Sequence, residues 1–76
     1  MNKKRRSKIE EIRDHLEDLK SQIDELQEEE QVAYENLPEG IQAADRGYEM
    51  EAAAERLSDA SSSLEDVICF LDESII

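Results

Sequence analysis

The chain has 76 residues, 21 of them acidic and nine basic, for a net charge of −12, with no Trp, one Phe, two Tyr and one Cys. So short a chain with so little large apolar material lies near the lower size at which a hydrophobic core alone suffices, which makes self-association the default expectation. Two Gly and one Pro among abundant Ala, Glu, Leu and Ser exclude a sheet of short strands and point to an all-α protein.

The charge is unevenly spread. Residues 1–8 hold five basic side chains and no acid, so the remaining 68 carry four basic against 21 acidic residues, or −17. A body this negative repels nucleic acid and anionic membrane, and suits either a basic protein surface or solubility alone. The segment "NKKRRSK" lacks interleaved aromatics, and residues 1–6 are expected to be a disordered basic N-terminus. No apolar secretory core follows Lys8 and no stretch approaches the roughly 18 apolar residues of a membrane span. Together with the single cysteine, this predicts a cytoplasmic protein.

From residue 7 to 76 the sequence predicts a single domain. Ser7-Lys8-Ile9-Glu10 fits a capping box, and behind it Ile9, Ile12, Leu16, Leu19, Ile23, Leu26, Glu30 and Ala33 recur in alternating steps of three and four. That heptad seam predicts a helix over 7–35 that packs on a partner. Pro38 cannot continue it, but fits the first turn of a new helix, so residues 36–46 are expected to be a connection with a short helical turn. Asp45 with Gly47 offers a break or an N-cap before a second helix over 47–74.

The second seam reads Met50, Ala53, Leu57, Ala60, Leu64, Val67, Leu71 and Ser74. Two helices of similar length and a short connection predict an antiparallel two-helix coiled-coil hairpin. With Leu26 facing Leu57, the pairs Ile12–Leu71, Leu16–Val67, Leu19–Leu64 and Ile23–Ala60 are all apolar. Tyr34, Leu37 and Ile41 are expected to plug the turn end, and with Pro38 and Tyr48 to offer a contact for a partner.

The stretch "VICFL" has more apolar surface than one hairpin covers. In this register Val67 and Leu71 close the hairpin, Ile68 flanks the seam, and Cys69 and Phe70 lie outside. Ala60, Leu64, Val67, Ile68, Cys69, Phe70, Leu71 and Ile75 are therefore the expected oligomer interface, through which two hairpins dimerise into a four-helix bundle. No catalytic constellation is found. His15 lies off the seam without the Glu-x-x-His spacing of a diiron bundle, a Cys69–His15 pair has no orienting third group, and the Glu clusters are scattered around the helices rather than gathered as a Mg²⁺ site. Neither a cofactor nor a metal is expected, and the reading is non-enzymatic.

The connection carries the most specific pattern. "QEEEQVAYENLPEGIQAADRGYEMEAA" resembles a set of small acidic helical-hairpin proteins of bacteriophages, prophages and other mobile elements, through Tyr34-Glu35-Asn36, Leu37-Pro38-Glu39, Gln42 and Asp45-Arg46-Gly47. Ala44 departs from the pattern, standing where a serine is usual. The resemblance implies a mobile-element setting, in the host bacterial cytoplasm, and a helical hairpin, but no reaction. Two functions follow as expectations. The first is an oligomeric protein-interaction module that binds itself and a host or phage protein, for instance as an inhibitor of a host defence protein. The second is an acidic nucleic-acid mimic that blocks a DNA-binding enzyme.

Overall fold

A computed structural model describes residues 1–75. Three helices follow one another: α1 (Lys3–Glu35), α2 (Glu39–Gln42) and α3 (Asp45–Ser74). The two long helices lie antiparallel in a rod whose Cα atoms extend 58 × 14 × 11 Å. It is one helix thick, so every part of both helices is close to solvent.

α1 starts four residues before the expected capping box. Asn2 is its N-cap, with extended backbone, and the Asn2 Oδ1 accepts from the Arg5 amide at 2.8 Å. An Asn outside the apolar repeat serves the free amides of the first turn as well as Ser7 would have done one turn later. Residues 3–6, expected to lie in a disordered N-terminus, are thus the first turn of the helix.

The connection is held by backbone groups and one glutamine. α1 ends where Asn36 and Leu37 return their amides to the carbonyls of Val32 and Tyr34, and Pro38 opens the single turn of α2. From that turn the Gln42 Nε2 donates to the Tyr34 carbonyl at 3.1 Å, beside the Leu37 amide, and to the Glu35 carbonyl at 3.2 Å. Gly47 is buried against the same turn: a Cβ built on it would lie 2.2 Å from the Gln42 carbonyl oxygen and 2.6 Å from that of Ile41. Its role is close approach, since its backbone angles are ordinary. The N-cap of α3 is Ala44, one residue before the expected Asp45, and it provides no side-chain cap. Tyr34 and Leu37 are half-buried at this end of the hairpin, whereas Ile41 is 43% exposed.

The hairpin closes on a different edge from the one the apolar repeats predict. Along α3 the residues withdrawn from solvent are Gly47, Ala54, Ser61 and Ile68, with half-buried Met50, Leu57 and Leu64 between them and Leu71, Ser74 and the C-cap Ile75 after them. Along α1 the half-buried residues are Arg6, Ile9, Arg13, Leu16, Lys20, Ile23, Gln27, Glu30, Gln31 and Tyr34, with Leu37 just past its end. Ile68 is 3% exposed while Val67 is 42% exposed, so these two residues exchange the places expected of them. Two cross-links, Arg13 to Asp72 and Asp24 to Ser61, set each α1 residue opposite an α3 residue two positions further along than the all-apolar pairing requires.

Two substitutions test the connection by chemical denaturation at fixed protein concentration. Gly47→Ala forces a methyl group into a backbone carbonyl and is expected to destabilise the fold by about 2 kcal/mol or more. Ala44→Ser gives the Gly47 amide an acceptor and is expected to stabilise it by about 0.5–1 kcal/mol.

Candidate interaction surface

The two sides of the hairpin seam differ in chemistry. In both helices the seam combines one series of positions, Ile9, Leu16, Ile23 and Glu30 in α1 and Met50, Leu57, Leu64 and Leu71 in α3, with the residues four further on. The residues three further on are left out. At 100° per residue, a step of four advances about 40° around the helix and a step of three falls back about 60°. These two sets therefore lie on opposite sides of the shared series. Because α3 runs against α1, the omitted residues of both helices come to the same face of the hairpin.

The face on the four-step side is polar and cross-linked. Arg13 Nε donates to the Asp72 carboxylate across the hairpin at 2.7 Å, and its Nη1 to Glu17 at 2.6 Å. Asp72 is the larger influence holding the guanidinium charged, and Glu17 adds to it. Lys20 donates to Asp24 at 3.1 Å, and Asp24 also accepts from the buried Ser61 hydroxyl across the hairpin. The Ser61 hydrogen bond, followed by that of Lys20, holds the Asp24 carboxyl below its usual range. At the turn end partial burial, reinforced by the nearby Glu51 carboxylate, raises the Tyr34 phenol above its usual value. The stems of Arg13 and Lys20 lie along the seam while their heads stay wet, which is how an apparently polar position seals a helix contact.

The opposite face is apolar. Ile12, Leu19 and Leu26 of α1 are 46%, 38% and 54% exposed, and Val67 of α3 is 42% exposed. Ala33, Ala53 and Ala60 continue the two stripes toward the turn, and all three are exposed. A shallow hollow beside Ile12 and Leu16 is rimmed by Lys8, Glu11 and His15. Phe70, 68% exposed, stands one position outward from Val67 on the same face.

The structure rearranges the expected interface accordingly. Ala60, Val67 and Phe70 belong to the open face, and Leu64 and Leu71 are half-buried at the edge of the seam next to it. Ile68 lies inside the hairpin and cannot line an outer contact: it is the one large apolar side chain in the buried series Gly47, Ala54, Ser61 and Ile68 of α3. Ile75 is half-buried at the end of α3. Cys69 is a free, exposed thiol whose place on the helix turns it away from the apolar face, and thus away from His15, which rims that face. Of the connection residues, Pro38, Ile41 and Tyr48 are exposed, while Tyr34 and Leu37 are half-buried.

Sequence reasoning recognised Ile12, Leu19 and Leu26 as apolar repeat positions but assigned them to the hairpin seam. The available signal was the run of small residues: Ala54 and Ser61 beside Ala53 and Ala60 allow either edge of α3 to approach another helix closely. Among the described residues no group of three or more His, Cys, Asp or Glu side chains is placed to hold a metal ion. None of the described helices is long and apolar enough to cross a membrane.

Asp24 provides a pH test with a definite sign. Its folded pKa is depressed, so its contribution to stability is present above the unfolded carboxyl value and is lost as pH falls through the folded one. Ser61→Ala preserves the small seam residue and removes the donor. It is expected to melt a few degrees below the parent at pH 7, and the gap should close in melts stepped down below pH 4; a gap independent of pH would show that the hydroxyl acts elsewhere. Comparison with known proteins adds no further constraint: no protein-family model, no curated protein and no solved structure matches the chain.

Proposed function

We propose that this protein is a non-enzymatic protein–protein interaction module that assembles through its open apolar face, two hairpins forming a four-helix bundle. What supports the reading is the position of Ile12, Leu19, Leu26 and Val67 on one face of both helices, next to the half-buried shared series. In a four-helix bundle each helix has two neighbours. One edge meets its own hairpin partner, the other meets the second hairpin, and the shared series points to the bundle axis.

The area bookkeeping supports the same reading. A compact monomer of 8.7 kDa exposes about 4,700 Å² by the usual scaling, whereas this chain exposes 5786 Å². The surplus of about 1,100 Å² is in the range that one partner buries in a stable interface, roughly 800 Å². The resemblance of the connection to proteins of phages and mobile elements gives the proposed setting, a bacterial cytoplasm, and a host protein such as a defence factor as the further partner. For that contact the bundle leaves its outer surfaces and the connection free, including exposed Pro38, Ile41 and Tyr48.

Leu19→Glu with Leu26→Glu puts two carboxylates on the open face and none in the hairpin seam. Light scattering is expected to read a dimer for the parent and a monomer for the double variant at the same concentration. A parent of one-chain mass, or a double variant of unchanged mass, would refute the assembly.

A further inference from the structure

The charge along the rod gives the two hairpins of that bundle an orientation. Around the connection, residues 20–66 carry fourteen acidic and three basic side chains, net −11, whereas the terminal half, residues 1–19 and 67–76, carries seven acidic and six basic ones, net −1. The division follows the structure, since the pairing of Arg13 with Asp72 and Asp24 with Ser61 puts residue 20 level with residues 65 and 66.

From this asymmetry we infer that the second copy lies on the apolar face with its connection at the opposite end of the bundle, so that α1 meets α1 and α3 meets α3, all neighbours antiparallel. The inference rests on the assembly proposed above. Two packings bring apolar face to apolar face with two-fold symmetry: connections together, or connections apart. With connections together, two halves of −11 lie side by side at a helix spacing of about 10 Å, comparable to the screening length in physiological salt. With connections apart, each −11 half lies beside a −1 half, and the basic start of α1, with Lys3, Lys4, Arg5 and Lys8, approaches the Glu30–Glu35 region of the other copy.

Glu30 points the same way. It is half-buried, and it belongs to the series that faces the bundle axis. A bundle with connections together brings the two Glu30 carboxylates to the same level near the axis, where like charges destabilise each other. Turning one hairpin end for end moves them apart. The competing packing offers one attraction, Glu29 of one copy level with Arg56 of the other on the outer edge, but an exposed pair of this kind contributes little.

The test is a distance. A spin label is placed on Asn36→Cys in the full chain carrying Cys69→Ser, with light scattering and circular dichroism on the labelled sample. Connections at opposite ends are expected to give a label separation of roughly 40–50 Å, from the helix rise of 1.5 Å per residue. A dimer with labels roughly 20 Å apart, two helix spacings, would overturn the orientation and leave the assembly standing. A folded monomer would overturn the assembly, and the orientation with it.

Discussion

A helix can turn only one edge to a single neighbour, and the choice of edge governs the rest of this molecule. The repeats offer two edges on each helix, one carrying Ile12, Leu19 and Leu26, the other Arg13, Lys20 and Gln27. The hairpin takes the second. It is stabilised there by methylene stems, by the cross-linking of Arg13 to Asp72 and by the close approach that Ala54 and Ser61 allow. Most of the large apolar side chains therefore remain partly in water. Among the described residues no large side chain is fully buried, and the hydrophobic positions withdrawn from solvent are Ala54 and Ile68.

The connection explains how such a thin seam keeps its register. A free two-helix pair of this kind has several alternatives related by a heptad step, each with similar contacts. Gln42 removes that freedom by fastening α2 to the last carbonyls of α1, and Gly47 brings the start of α3 against the carbonyls of Ile41 and Gln42. The most distinctive residues of the sequence are thus those with defined structural tasks in the turn. Polar links beyond the turn, Asp24 with Ser61 and Arg13 with Asp72, continue the alignment along the rod.

How much of this was legible in the sequence depends on what kind of signal each feature leaves. The two long helices, the stop before Pro38 and the short turn after it follow from periodicity and from the missing amide of proline, which act locally. The edge does not, because a heptad repeat reports which residues are apolar and cannot say which of two neighbours each will meet. Arg13 and Lys20 are invisible to a search for apolar seams, although their stems are what the hairpin closes on. The same blindness exchanged Ile68 with Val67 and shifted the pairing by two residues. The start of α1 was missed for a simpler reason: Asn2 and Ser7 are both competent caps, and the residues between them are good helix formers.

These facts bear on how folding and assembly are connected. A rod one helix thick must offset the ordering of its backbone with a seam of half-buried residues, so the isolated hairpin is held by little. Covering the apolar face completes the burial of Leu16, Ile23, Leu57 and Leu64, which the hairpin alone leaves half-exposed. In the proposed bundle, association therefore supplies core as well as contact, and the stability of each chain depends on the concentration of the other. The acidic surface acts in the opposite direction, since each added copy brings −12 of charge. In the proposed assembly the apolar face would favour a second copy while the charge would oppose a third, a balance that would favour a closed dimer over an open array.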